Sequence, residues 1–227
     1  MQIFQECKLQ KMSSLLSNPS FYYYARQVAL CGLPFREWVS MYRLNCNQER
    51  IADIGCGPAD ILRYVNPKSV PEYYLGIDIS DKYIKQAKSK TIGLGVDSDF
   101  ITLDLERLPY NQSLQNTLIN LLDEKNISTV LLLGLLHHID DDSVITILNI
   151  LFTMSKVKFV ITQDVLIIPG NLINNYFASR DRGNYVRNEG SYDNLIGSTS
   201  WKIDKKLWTH PGLSRIKYIH YKLSRFS

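Results

Sequence analysis

The fold of this chain is decided by the stretch Ile51-Ala52-Asp53-Ile54-Gly55-Cys56-Gly57-Pro58-Ala59-Asp60. An apolar run that ends in an acid leads into two glycines one residue apart, a pattern typical of a buried parallel strand that turns sharply into a helix whose N-terminus faces a ligand. Glycine suits such a turn because it adopts backbone angles that other residues avoid and has no side chain to hold a ligand away. Plain structural turns also contain Gly-x-Gly pairs, so the interpretation depends on the segments that follow.

Three further apolar segments are predicted to be strands, and each carries a polar residue near or just after its carboxyl end: residues 73–80 with Asp78, residues 100–105 with Asp104, and residues 130–135 followed by His137 and His138. Asp78 lies about 20 residues past the glycines, the spacing at which a carboxylate accepts hydrogen bonds from ribose hydroxyls. The carboxyl ends of parallel strands meet at one edge of a sheet, where open α/β folds bind ligands. The sequence therefore predicts a ligand site at that edge.

Four segments, in this order, resemble the motifs of class I S-adenosylmethionine-dependent methyltransferases: Asp-Ile-Gly-Cys-Gly-Pro-Ala (53–59), Gly-Ile-Asp-Ile-Ser (76–80), Leu-Asp-Leu (103–105) and Gly-Leu-Leu-His-His-Ile-Asp-Asp (134–141). The resemblance extends over roughly residues 15–225. It implies a Rossmann-like α/β fold with a seven-stranded sheet, mostly parallel with an antiparallel C-terminal strand, and helices on both faces. It also implies S-adenosylmethionine as the cofactor.

The resemblance assigns the parts of the cofactor to particular motifs. The methionine moiety would lie on the glycine turn, the ribose hydroxyls on Asp78, and the adenine on Asp104 with Leu105. The implied cofactor-binding residues are Asp53, Gly55 and Gly57 for the methionine moiety, together with Cys56, Asp78, Ile79, Asp104, Leu105 and Gly134.

A methyl transfer needs an aligned nucleophile and, for a hydroxyl acceptor, a base that removes its proton. His137 or His138 is the candidate base, because imidazole titrates near neutral pH and the pair stands where the transferred methyl group should point. Either histidine could instead pack against the helix that follows. His210 and Asp164 are secondary candidates.

Two segments are expected to form the acceptor side. Residues 1–46 are predicted to be an N-terminal helical segment that covers the site, and residues 47–227 the methyltransferase domain, with an acceptor-side insertion at about 169–200. The long connection in the insertion is cationic and aromatic, which would suit an anionic group, although a plain surface connection is the alternative. Tyrosines of the first segment could equally be core residues. The expected substrate-binding residues are Tyr23, Arg26, Arg180, Arg182, Tyr185 and Arg187.

The absence of motifs found in nucleic-acid methyltransferases limits the expected class of acceptor. Neither an Asn- or Asp-Pro-Pro-aromatic motif nor a Pro-Cys nucleophile is present, so the expected acceptor is a small molecule or a glycan-like metabolite, methylated at oxygen, and not a nucleic acid. A nicotinamide dehydrogenase would have a third glycine where Asp60 stands. A related nicotinamide or nucleotide-sugar enzyme would also need a Tyr-x-x-x-Lys proton relay after the fourth strand. The one such pair there, Tyr218 and Lys222, lies in the last predicted strand. An inactive cofactor-binding module that regulates a partner remains the alternative.

Composition sets broader limits. The chain has 227 residues and a formal charge of +4, which suits one α/β domain and does not by itself indicate nucleic acid or membrane surface as a partner. Its four cysteines lack paired metal spacing and are expected to be reduced thiols of a cytoplasmic protein. No segment reaches the roughly 18 apolar residues of a membrane span. Asp140-Asp141-Asp142 could hold a metal, but a helix-capping role is preferred and no metal is expected.

Overall fold

The computed structural model of this protein describes residues 42–44, 46–179, 183–209 and 216–225. Its strands are β1 Arg50–Ile54, β2 Tyr73–Asp78, β3 Ser98–Thr102, β4 Thr129–Leu133, β5 Phe159–Ile167, β6 Arg187–Asn188, β7 Lys202–Thr209 and β8 Tyr218–Ser224. Its α-helices are α1 Asp81–Thr91, α2 Gln112–Glu124, α3 Asp141–Thr153, α4 Leu172–Ala178 and α5 Glu189–Gly197. Short 3-10 helices occupy Asp60–Tyr64 and Leu108–Tyr110.

The strands form one mixed sheet in the order β3-β2-β1-β4-β5-β8-β7, with the two-residue β6 paired to β5. Strands β1 to β5 run parallel to one another, whereas β8 pairs antiparallel with both β5 and β7. The order reverses direction between β1 and β4, and the crevice at such a point is where open α/β sheets bind ligands. The predicted mixed sheet with an antiparallel C-terminal pair is confirmed.

Apolar side chains cover both faces of the sheet, as expected for a parallel sheet flanked by helices. On one face, Val130, Leu132 and Val160 pack with residues of α2, α3 and α5. On the other face, Leu131 and Ile161 pack with residues of α1, of the first 3-10 helix and of the segment before β1. Successive residues of β4 and β5 therefore alternate between two separate cores, which fixes the register of these strands.

Polar caps define where several helices begin. Ser80 accepts a hydrogen bond from the backbone N–H of Tyr83 and so caps α1, and Asp140 accepts one from Ser143 at 2.7 Å and caps α3. In the sequence, the position of Ser80 directly after the second predicted strand and that of the triple acid before an apolar helical run both predict these caps. The interpretation of the triple acid as a helix start is thus confirmed for Asp140. In the part of the chain that the structure describes, no three acidic, histidine or cysteine side chains are grouped in a way that could hold a metal ion.

Three elements differ from the sequence predictions. The helix expected after the glycine turn is a five-residue 3-10 helix, and Ala59 before it adopts a left-handed conformation with φ of 52°. The apolar segment 157–163 predicts a fifth strand that ends at Gln163, with Asp164 at its end. Strand β5 instead extends to Ile167, so Asp164 lies inside the strand. The insertion at 169–200 is mostly regular, because it contains α4, β6 and α5.

Among the described residues, no helix combines the length and the apolar character that crossing a membrane requires.

Candidate functional site

The turn after β1 is shaped by backbone hydrogen bonds to the neighbouring strand. The N–H groups of Gly55 and Cys56 both donate to the carbonyl of Ile77, at 2.7 and 3.0 Å. Gly55 and Gly57 have φ of 80° and 53°, in the left-handed region that side chains disfavour. Among the described residues, no atom lies within 4 Å of a Cβ placed on Gly57. The turn therefore presents open backbone at the carboxyl edge of the sheet, as its sequence predicted.

Asp78 joins this turn to helix α1. One of its carboxylate oxygens accepts the N–H of Gly57 at 2.9 Å, and the other accepts the N–H of Ser80 at 2.8 Å. The side chain is half-buried, and the next residue, Ile79, is 56% exposed. An acid held by two backbone donors beside an exposed apolar side chain is a suitable arrangement for a ribose and an adjoining ring.

Asp53 and Cys56 lie beneath the turn. Asp53 is 2% exposed, and its Oδ2 accepts a hydrogen bond of 2.5 Å from the hydroxyl of Tyr74 in β2. Burial, together with the nearby charges of Asp53 and Asp78, raises the pKa of the Cys56 thiol well above its usual value. Cys56 therefore offers the site only its backbone, and the hydrogen bond from Tyr74 holds the Asp53 side chain in place.

The segment after β3 also lies at the carboxyl edge of the sheet. The N–H of Leu103 donates to the carbonyl of Asp78 at 3.0 Å, which sets Asp104 next to β2. Asp104 is half-buried and pairs with Arg107 at 3.3 Å, whereas Leu105 is buried in the core. The structure thus brings Asp104 and Asp78 to adjacent positions, with Leu105 beneath them.

His137 is held by a buried carboxylate. Its Nδ1 lies 2.7 Å from Oδ1 of Asp164, and its backbone N–H donates to the same oxygen at 3.1 Å. His137 is 4% exposed and Asp164 is 1% exposed. Burial raises the pKa of Asp164, while the hydrogen bond from His137 opposes that shift. An imidazole oriented by a buried acid is the arrangement that general bases use in many enzymes.

His138 and Gly134 flank this pair. The ring of His138 lies 4.2 Å from that of His137, between centroids, and the side chain is half-exposed. Gly134 has φ of 72° and its N–H donates to Gln163 at 2.6 Å, which turns the chain out of β4. Both predicted histidines therefore stand at the carboxyl edge of the sheet, and His137 has the buried acid Asp164 positioned at its Nδ1.

The insertion returns to His137. The backbone of Gly183 packs directly on this residue, because a Cβ on Gly183 would lie 2.3 Å from both Cδ2 and the carbonyl oxygen of His137. The N–H of Tyr185 donates to the same carbonyl at 3.0 Å. Tyr185 itself is 41% exposed. The predicted acceptor-side insertion is thus in direct contact with a predicted base.

The guanidinium of Arg187 bonds groups of the protein itself. Its guanidinium donates to the carbonyls of Leu136 and Ile139 and forms an ion pair with Asp141. The side chain is almost fully buried. This geometry favours a structural role in fixing the histidine loop over the anion-binding role expected from sequence.

Several predicted residues lie outside the described residues, so the structure does not place them: Tyr23, Arg26, Arg180, Arg182 and His210. The same holds for residues 1–41 and residue 45 of the predicted N-terminal segment.

Sequence reasoning missed two groups. The sequence pattern places Tyr74 in a strand but gives no signal that links its hydroxyl to Asp53. A second buried cluster joins Tyr42 to Gln163 at 2.7 Å and to His220 at 3.3 Å, and Nε2 of His220 lies 2.6 Å from Thr209. The sequence signal for this cluster is a polar residue in each of two apolar strands, Gln163 in β5 and His220 in β8.

Comparison with known proteins agrees with this geometry. Residues 51–156 match the sequence profile of a family described as methyltransferase domain. A magnesium protoporphyrin IX methyltransferase from Synechocystis PCC 6803, solved with S-adenosylhomocysteine, superposes with a TM-score of 0.59 at 16% identity, over 88% of this chain and 84% of its own. A methyltransferase from Aquifex aeolicus gives 0.59 at 12% identity, over 92% and 99%.

A geranyl diphosphate C-methyltransferase from Streptomyces coelicolor A3(2) superposes with a TM-score of 0.59 at 9% identity, over 84% of this chain and 75% of its own. At these identities the solved structures show a shared fold. No curated protein sequence matches the chain.

Proposed function

We propose that this chain is a class I S-adenosylmethionine-dependent methyltransferase that methylates an oxygen atom of a small-molecule acceptor, with His137 as the general base. The observation that carries the proposal is the 2.7 Å contact between Nδ1 of His137 and Asp164. It lies at the same sheet edge as the glycine turn and Asp78. Removal of a proton is required for a hydroxyl acceptor, and this pair supplies a base for it.

The residues at the turn fit the cofactor. Gly57 has open space above its Cα, Asp78 offers a carboxylate that two backbone donors hold in place, and exposed Ile79 offers apolar surface. We assign the methionine moiety to the backbone of Gly55 and Gly57, with buried Asp53 holding the turn. When bound, S-adenosylmethionine supplies a methyl group already activated on a sulfonium.

The remaining cofactor contacts follow the same edge. We assign the ribose hydroxyls to Asp78, and the adenine to Asp104 and Ile79 with Leu105 beneath. Asp104 is next to Asp78 because the chain after β3 is hydrogen-bonded to the end of β2. Gly134 turns the chain at the opposite side of the switch point, where it leaves room beside His137.

Asp164 gives His137 its role. A carboxylate that accepts Nδ1–H fixes the proton on that nitrogen and leaves Nε2 as the basic atom. When Nε2 takes the acceptor proton, the buried carboxylate stabilises the imidazolium that forms. The backbone of Gly183 covers the ring and limits its exposure to 4%. This cover keeps bulk water from competing for the base.

A small-molecule acceptor agrees with two structural neighbours, because the names of those proteins give magnesium protoporphyrin IX and geranyl diphosphate as their substrates. Nucleic-acid methylation lacks support in the sequence, as its base-binding motifs are missing. The alternative is a module that binds the cofactor without turnover.

The test uses three variants, His137→Asn, Asp164→Asn and His138→Asn. Cofactor affinity is measured by calorimetry, and methyl transfer is followed as tritium passing from labelled S-adenosylmethionine to small molecules of a cell extract. We expect His137→Asn to lower transfer by about 10²- to 10⁴-fold at unchanged affinity. Asp164→Asn should lower it less and shift the pH profile of the rate, whereas His138→Asn should keep most activity.

Three outcomes are decisive. Full activity in His137→Asn together with loss in His138→Asn would assign the base to His138. Micromolar cofactor binding with no transfer to any extract would support the inactive module. Absence of cofactor binding by the intact protein would remove the basis of the proposal.

A further inference from the structure

Helix α4, which follows β5 in the insertion, has its apolar side turned outward. Leu172 is 82% exposed, Tyr176 52%, Ile173 47% and Phe177 45%, whereas Asn174 is fully buried. At 100° per residue the four apolar side chains occupy one continuous face, and the asparagines and Ala178 occupy the other. This is the reverse of an ordinary surface helix, and contiguous exposed apolar surface marks interaction or ligand-binding sites.

Hydrogen bonds fix this orientation. The amide of Asn174 donates to the carbonyl of Leu166 at 2.6 Å, and its oxygen accepts the N–H of Lys217 at 2.7 Å. Asn175 bonds both the N–H and the carbonyl of Ile168, each at 2.8 Å. Rolling the helix to bury its apolar face would break four hydrogen bonds to buried or half-buried backbone. The outward apolar face is therefore a fixed feature of the helix.

The position of α4 connects this face to the proposed site. The helix is anchored at the carboxyl end of β5 and the start of β8. A few residues past its end, Gly183 packs on His137 and Tyr185 donates to the carbonyl of His137. Any acceptor that reaches His137 approaches this edge of the sheet.

We infer that the outer face of α4, formed by Leu172, Ile173, Tyr176 and Phe177, binds the apolar part of the acceptor, so that the substrate is a small molecule with an extended hydrocarbon or aromatic body. This inference rests on the proposed function and departs from the glycan-like class expected from sequence. A helix of seven residues is about 10 Å long. Such a surface matches one ligand moiety, because a stable protein interface needs about 800 Å² from each partner.

The experiment compares full-length protein with two variants. Leu172→Gln/Phe177→Gln makes the face polar, and Ile92→Gln is the matched control, because Ile92 is also 82% exposed but follows α1 at a distance from His137 in sequence and fold. Each protein is incubated with tritiated S-adenosylmethionine and a cell extract. Labelled products are then divided between an organic and an aqueous phase.

We expect the label transferred by the wild type to enter the organic phase. The double variant should lower this transfer by about tenfold or more at unchanged cofactor affinity, since the apolar contacts are lost. The control should transfer at the wild-type rate. Both variants should keep the melting temperature and the molecular mass of the wild type, because substitutions at an open surface are near neutral.

Four results would overturn the inference. Label found only in the aqueous phase would exclude an apolar acceptor while the proposed methyl transfer stands, and so would a double variant that transfers at the wild-type rate. A drop of several degrees in melting temperature for the double variant alone would mean that another part of this chain covers the face. A changed mass in gel filtration would mean that a second copy covers it. Cofactor binding without any transfer is a different result, since it rejects the proposed function itself.

Discussion

Arg187 and Asp141 lie 46 residues apart in sequence, and Nε and Nη2 of the arginine both bond Oδ1 of the aspartate, at 2.9 and 2.5 Å. The arginine belongs to β6 in the insertion, and the aspartate to the first turn of α3. The same guanidinium donates to two carbonyls of the loop that contains His137. One side chain thus ties the insertion to the loop with the proposed base.

Arg187→Gln should lower the free energy of unfolding by about 2 kcal/mol or more. The substitution leaves carbonyls of the histidine loop without their donors, and an unsatisfied buried polar group costs about 1–3 kcal/mol. Arg187→Lys should restore little, because a single ammonium cannot reach three acceptors in the geometry of the planar guanidinium. Urea denaturation measures both changes. Arg107→Gln is the control, since its pair with Asp104 is exposed and worth at most about 1 kcal/mol.

Tyr74→Phe should destabilise the protein by about 1–3 kcal/mol, because it removes a hydrogen bond to the buried carboxylate of Asp53. It should also weaken S-adenosylmethionine binding, since Asp53 then no longer has a fixed place under the glycine turn. Tyr73→Phe is the matched control, as the Tyr73 hydroxyl donates to half-exposed Asp99 at the distant end of the sheet. Equal losses of cofactor affinity in the two variants would contradict the proposed place of Asp53.

Gly76→Ala should destabilise the protein by about 1–3 kcal/mol through overpacking. A Cβ at this position would lie 2.4 Å from Cδ1 of Phe100 in the neighbouring strand. Gly197→Ala is the opposite case, because a Cβ there meets no atom of the described part of the chain within 4 Å and the residue ends α5. That variant should be stabilised by up to about 1 kcal/mol, since alanine loses less backbone entropy on folding. Thermal unfolding with matched scan rates distinguishes the two effects.

His220 should give the protein a pH-dependent stability. Burial lowers the pKa of His220 to about 4, below the value of about 6.5 for an unfolded chain. Between these two values the unfolded chain binds a proton at this residue and the folded chain does not. Stability should therefore fall as the pH drops from about 6.5 to about 4, and this residue should add no further loss below that.

Urea unfolding between pH 7 and pH 4 measures the effect. His220→Gln should flatten the dependence, because the variant has no group that titrates in this range. His138→Gln, at a half-exposed histidine, is the control for the number of histidines. The same slope in wild type and His220→Gln would show that the imidazole is not shielded in the way its burial indicates.

The first four strands and the turn at Gly55 and Gly57 could be predicted because they depend on neighbours in sequence. Apolar runs of the right length, glycines at a fixed spacing and acids at strand ends each act over a few residues. The caps at Ser80 and Asp140 were predicted for the same reason, since a cap bonds an N–H three residues away. The position of Asp78 at the end of β2 could also be predicted from the local pattern, although its hydrogen bond with the N–H of Gly57 could not.

The roles of Arg187 and α4 could not be predicted, because they depend on contacts with residues that are distant in sequence. An arginine near a tyrosine looks like an anion site when only its chain neighbours are known, yet its partners are carbonyls about 50 residues earlier. Helix α4 has an ordinary amphipathic spacing in sequence. Which side of it faces the protein depends on Leu166 and Lys217, which belong to other elements.

The sequence by itself determined the sheet, the glycine turn, the acid at the end of β2 and the presence of two histidines after β4, because short-range pattern and backbone sterics specify each of them. Only the tertiary structure decided that His137 is paired with Asp164, since Asp164 reaches His137 through the pairing of β4 with β5. It likewise decided that Arg187 is buried and that α4 faces outward. Those outcomes depend on which distant backbone groups need hydrogen-bond partners once the core has formed.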